Sequence, residues 1–157
     1  MPFEAFISYS HNDKDKALRH ELATHLSNLR SQGLLSDWYD GDIIPGTEWE
    51  KKIMGHLNTA KIILLLVSAD FMASKFCYSI EMKQAIARHD ANQARVIPII
   101  LRPTDCEGAP FEKLLVLPSD ARPVTSWADR DQAFLDIIRG IRRAIQDLNA
   151  SASPNPS

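Results

Sequence analysis

Hydrophobic and polar positions change period in step along this chain. Phe3–Ser8 is a short apolar, aromatic run that ends at Tyr9-Ser10-His11-Asn12-Asp13, the pattern of a strand, a polar loop and a helix cap. From Lys14 to Arg30, Ala17, Leu18, Leu22, His25, Leu26 and Leu29 recur at three-and-four spacing, predicting an amphipathic helix that stops near Gly33. Leu34–Tyr39 reads as a second strand. The stretch Asp40-Gly41-Asp42-Ile43-Ile44-Pro45-Gly46 then predicts an irregular loop, because glycine and proline crowd it. It exposes two isoleucines that a plain connector does not need. A capping box of Thr47 and Glu50 opens the next helix, with Trp49, Ile53, Met54 and Leu57 facing inward.

Lys61–Val67 is continuously apolar, as a strand covered on both faces must be, and Arg95–Leu101 is similar. Pro98 removes a ladder donor there and marks an edge or a bulge. Between the two lies Ser68–Met82, SADFMASKFCYSIEM. As a helix from Lys75 to Arg88 it carries two apolar arcs, Phe76/Ile80/Ala87 and Tyr78/Met82/Ala85/Ile86, separated by Glu81, Gln84 and Arg88. Glu81 then sits between two buried faces, and no basic residue stands three or four positions away to pair with it. Thr104–Pro118 is irregular, with one helical turn around Phe111–Leu115, and Ala121–Thr125 reads as a short fifth strand. The last helix, Asp129 to Leu148, has one apolar face of Phe134, Ile137, Ile138, Ile141, Ala144, Ile145 and Leu148. Residues 149–157 are small and polar, a flexible tail or a linker to a further domain.

Strands alternating with helices predict an α/β domain over residues 1–148. It is a flavodoxin-like, three-layer fold with a five-stranded parallel sheet, order 2-1-3-4-5, and helices on both faces. Ligands of such sheets bind beyond the carboxyl ends of the strands, at the switch point between strands one and three. Those ends are Ser8–His11 and Ser68–Asp70, with Trp38–Asp40 beside them.

Composition narrows the chemistry. The 157 residues carry a net charge of -2, with no basic stripe for nucleic acid or an anionic membrane. The longest apolar run, Ile62–Val67, is far short of the ~20 residues that span a bilayer, and the N-terminus lacks a signal pattern. Cys77 and Cys106 form neither a disulfide framework nor a zinc motif, which points to the cytoplasm. No GxxxxGK[ST], GxGxxG or GxSxG sequence occurs, the first and third strands end in Ser8 and Ser68 where a phosphoacceptor receiver needs acidic residues, and the histidines have no metal-ligand spacing.

FISYSHNDK, DWYDGDIIPG and SADFMASKFCYSIEM, in that order and spacing, resemble the Toll/interleukin-1 receptor (TIR) domain, particularly its bacterial branch, from Phe3 to Leu148. The resemblance implies that Asp40–Gly46 is the family's BB loop, which takes part in assembly and gates the cleft. It also implies cleavage of the nicotinamide–ribose bond of NAD+, a substrate rather than a cofactor, by the glutamate of the third helix, here Glu81. Ser8, Ser10 and Asp40 are then expected on polar parts of the dinucleotide, Trp38 and Tyr78 in an aromatic wall, and Ile44 and Cys77 in the cleft lining. Some hydrolytic members carry tryptophan where this chain has Cys77 and arginine where it has Ser10, so stacking and phosphate contacts must come from elsewhere. Further implications are self-association into homo-oligomers or filaments, a C-terminal sensor domain, a role in antiviral defence, and a linear or cyclic ADP-ribose product. The competing expectation is an adaptor that signals only by docking through the BB loop.

Overall fold

Four strands, each completed by a chain reversal through helix or loop, build the centre of the molecule. The computed structural model describes residues 2–43 and 50–152. In chain order the elements are β1 (Phe3–Ser10), α1 (Asp13–Ser31), β2 (Leu35–Ile43), α2 (Glu50–Thr59), β3 (Ile62–Val67), α3 (Ala69–Ala73), a 3-10 turn (Lys75–Tyr78), α4 (Ile80–Asp90), β4 (Arg95–Ile100) and α5 (Arg130–Ala152). The sheet is parallel with order β2-β1-β3-β4. The α/β, flavodoxin-like class and this part of the expected order are therefore observed.

The continuous apolar run of β3 follows from its central position. Ile62, Leu64 and Leu66 enter one core with Ala5, Ile7, the α1 leucines and Phe134, Ile137, Ile141 and Ile145 of α5. Ile63, Leu65 and Val67 enter the other with Phe6, Leu57 of α2, Phe71 of α3, Phe76, and Met82 and Ala85 of α4. Alternate side chains thus leave opposite faces, and both faces are roofed by helices.

Expectation and structure differ at several points, each with a physical reason. β2 does not end at Tyr39 but continues through Asp40–Ile43, with Ser8 opposite Gly41 and Ser10 opposite Ile43. Gly41 is a packing residue here: a Cβ on it would lie 2.6 Å from the Phe6 ring and 3.0 Å from the Ile7 carbonyl. The remainder of the expected loop, residues 44–46, and the Thr47 cap lie outside the described residues.

The fifth strand is reduced to one bridge, Ile99 to Leu117, and Ala121–Thr125 falls in short 3-10 turns. The outer edge of β4 explains this. Val96 N–H is taken by His89 Nδ1 at 3.0 Å, Pro98 has no N–H to offer, and only Ile100 N–H reaches the Leu117 carbonyl, at 2.8 Å. An edge terminated in this way cannot carry a full neighbouring strand. Pro98 is tolerated because its vacancy faces outward; the neighbouring donors at Arg95 and Leu101 serve Lys61 and Val67 at 2.8 and 2.9 Å. Finally, α5 runs past Leu148 to Ala152.

Candidate functional site

The segment after β3 is broken into pieces by serines. Ser68 caps α3 by accepting the Phe71 N–H at 3.2 Å, and Ser79 caps α4 by accepting the Met82 N–H at 3.2 Å while donating to the Phe76 carbonyl at 2.7 Å. Such side chains offer the backbone an alternative to helix continuation. The single helix expected over residues 75–88 is therefore a 3-10 turn and a fresh helix, and the two apolar arcs dissolve. Phe76, Cys77, Met82 and Ala85 are buried, whereas Tyr78 and Ile80 are 57% and 67% exposed.

Glu81 is consequently placed in the first turn of α4, with Met82 and the core on one side and the exposed Tyr78 and Ile80 on the other. It is only 9% exposed. Among the described residues it makes no ion pair and no hydrogen bond. The helix N-terminus favours a negative charge at this position. Arg88, the basic residue on its stripe, is engaged elsewhere: it donates to the carbonyls of Leu57 and Ala60, closing the end of α2. A carboxylate largely removed from water and not committed to a protein cation remains available to a cationic ligand.

The sheet divides the other expected site residues. Ser8 alternates with Ile7 and so shares the α4 face with Phe6; it is fully buried, and its Oγ has no hydrogen-bond partner among the described residues. Ser10 lies two residues on, on the same face, at the open end of β1. Trp38 and Asp40 are on the opposite face. Trp38 pairs in register with Ala5, packs against the α1–α5 core and lies 4.6 Å beneath Arg30, while Asp40 meets Arg19 of α1 at 3.4 Å. They do not join Glu81, because strand alternation turns even residues of β2 toward α1. Cys77 is fully buried, with Sγ 3.8 Å from the Met72 sulfur. Burial, and secondarily Cys106, push its thiol up to about 11, so it is a protonated packing group rather than a ligand contact. Tyr78 is beside Glu81 in the chain but points to solvent. Ile44 lies outside the described residues.

At the switch point itself, side chains that the sequence reading did not select fill the space between strand ends. Asp15 of α1 is fully buried, accepts the Ser68 hydroxyl at 2.5 Å and receives Arg102 Nε at 3.0 Å. Arg102 reaches on to Asp70 at 2.6 Å. Burial draws the Arg102 guanidinium down, yet its hydrogen bonds to Asp70 and Asp15 outweigh this and hold it above its ordinary value. The signal was present: Asp15 extends the three-and-four spacing of Leu18, Leu22, Leu26 and Leu29, all buried with it. A charge in a core register requires a buried partner. This network ties the start of α1, the end of β3, α3 and the segment after β4 into one floor, from which the chain departs toward Glu81.

Comparison with known proteins agrees with this architecture. A family model described as TIR domain matches residues 5–144. An uncharacterised protein of Sinorhizobium fredii, y4lF, is 47% identical over the whole of this chain. The chain spans about half the length of that curated relative, 48%. The crystal structure of the TIR domain of the Toll-related receptor TRR-2 from Hydra magnipapillata superposes with a TM-score of 0.54 at 19% identity, covering 89% of this chain and 98% of that one. No helix among the described residues is long and apolar enough to cross a membrane. With a matching family model over most of its length, the chain belongs to the TIR domain family.

Proposed function

We propose that this TIR domain cleaves the nicotinamide–ribose bond of NAD+, with Glu81 as its catalytic carboxylate. The observation that carries the reading is Glu81 itself, nearly buried in the first turn of α4 with no cation to neutralise it among the described residues. Nicotinamide is bound to ribose C1′ as a pyridinium. When the bond breaks, its electron pair returns to the ring nitrogen, the leaving group departs neutral, and the positive charge passes to C1′ and the ring oxygen. No general acid is needed, unlike a glycosidase whose leaving oxygen must be protonated. A fixed anion in a water-poor site stabilises the oxocarbenium-like state. Water then adds to C1′ and loses a proton, giving ADP-ribose, nicotinamide and one proton; capture by a nucleophile of the adenine base gives a cyclic isomer instead.

Ser10, at the open end of β1 on the α4 face, is the polar group best disposed to help hold the substrate, with Ser8 buried behind it. Self-association of the domain raises activity in this reading, and depletion of NAD+ in defence against phage is its physiological expression. The second reading, a docking adaptor without turnover, is favoured by one observation: Tyr78 and Ile80, just before Glu81 in the chain, expose apolar surface.

Concentrated or artificially clustered protein incubated with NAD+, with products identified by mass spectrometry, separates the two. Release of nicotinamide by wild type and its loss of at least ~10²-fold in Glu81→Ala is the expected result. Equal release by both proteins would remove Glu81 from the chemistry, and no release from clustered wild type would establish the adaptor.

A further inference from the structure

A groove of about 600 Å³ lies along the outer edge of β4, bounded by the end of α4, the segment 113–119 and α5. Its size falls within the range of small-molecule sites, roughly 300–1,000 Å³. Val96, Ile97, Leu117 and Ala144 give it an apolar floor, and its rim carries Arg95, Lys113 and Arg143 from three separate parts of the chain, with the His89 ring beside them. Three permanent cations, Arg95, Lys113 and Arg143, thus face one acid in a protein of net charge -2. Asp147 is the acid among the lining residues, and it is taken up by Arg95 at 3.6 Å. Lys113 and Arg143 have no ion pair among the described residues.

Two details suit the groove to a ligand rather than to a solvated face. His89 accepts the Val96 N–H at Nδ1, which leaves the proton of the neutral ring on Nε2 as a further donor. Burial, reinforced by Arg95, lowers its pKa and keeps it in that neutral form. Gly140 sets the floor: a Cβ there would lie 2.7 Å from the Leu117 methyl carbons, so its absence lets Leu117 lie down on α5.

We propose that this groove binds a small phosphorylated organic molecule, its phosphate held by Lys113 and Arg143 and its organic body lying on Val96, Ile97, Leu117 and Ala144. The site is separate from Glu81. Glu81 occupies the first turn of α4 and His89 the last, about 12 Å apart at 1.5 Å per residue.

ADP is a suitable probe, titrated into the isotopically labelled 157-residue chain and followed by amide chemical shifts. Expected are shifts at Val96, Leu117 and Arg143, weaker binding of adenosine and of pyrophosphate than of ADP, and a loss of about tenfold or more in the Lys113→Glu, Arg143→Glu double variant. Both replaced residues are exposed, and a thermal melt confirms that the variant folds. Gly140→Ala, which raises Leu117 into the groove, is expected to weaken ADP in the same assay. Shifts confined to residues 8–10 and 79–82, or unchanged ADP affinity in the double variant, would overturn the proposal. Equal binding of adenosine and ADP would overturn the role of the phosphate. Self-association abolished in the double variant, with no ADP shifts at the groove in wild type, would assign this face to a protein contact and overturn it as well.

Discussion

Asp15 and Glu81 are the two buried acids of the described chain, and their surroundings are opposite. Asp15 is fully enclosed and saturated, with Ser68 and Arg102 on its oxygens and the Asp15 backbone N–H itself bound by the Asn12 cap at 2.9 Å. Glu81 is enclosed almost as far, at 9% exposure, yet none of the described residues bonds to it. A buried charge with its counter-charge in place is part of the frame. One without such a partner has no such structural reason to be there, and it is the stronger candidate for chemistry. The contrast also shows why proximity to a switch point is not enough: the space between the ends of β1 and β3 is filled by the protein's own ion network, and the uncommitted carboxylate lies beyond it, on α4.

The contrast is broken most directly by removing Asp15. Asp15→Ala strands Arg102 and the Ser68 hydroxyl in a mostly buried position and is expected to cost about 3 kcal/mol, at the low end for a broken buried pair because Asp70 retains Arg102. Chemical denaturation measures this, and a loss below half a unit would make Asp15 as uncommitted as Glu81.

Glu81→Gln should do the reverse, lowering nicotinamide release from NAD+ at least ~10²-fold while changing stability by no more than about 0.5 kcal/mol, the worth of a helix-terminal charge. A large loss of stability with activity retained would reduce Glu81 to a structural residue. Arg102→Lys sharpens the comparison from the other side: a single ammonium cannot bridge Asp15 and Asp70 as the guanidinium does, and a loss of about 1 kcal/mol is expected, with turnover per folded molecule unchanged.

The smallest effect concerns pH. Burial, then Arg95, lowers the His89 pKa from its ordinary 6.5, with Asp90 opposing in part. The unfolded chain therefore takes up a proton that the folded one refuses. Stability from this group is complete above about pH 6.5 and declines as the pH falls below it. Melting temperatures of wild type should fall more steeply than those of His89→Gln between pH 7.5 and 5, and parallel slopes would show that the edge cap at Val96 does not titrate.

Much of this molecule follows from local patterns. The three-and-four spacing of α1, the apolar face of α5 and the unbroken apolar run of β3 each depend on residues close in sequence, and the order β2-β1-β3-β4 follows from right-handed connections between them. The family was legible for the same reason, being carried by contiguous motifs, and the expectation for Glu81 rests on one of them. Tertiary structure decided the rest. Gly41 reads as a loop breaker until the Phe6 ring is seen to need its space, and the segment 75–88 reads as one helix until Ser79 is seen to cap a new one. Trp38 and Asp40 stand near Ser8 along the strand ends but face α1, across the sheet from Glu81. Asp15 reads as an ordinary first-turn acid until Arg102, far along the chain, closes on it. Burial and pairing are properties of what arrives from elsewhere in the chain, so a sequence can name a carboxylate, while only the packed fold separates the one that is neutralised from the one to which none of the described residues bonds.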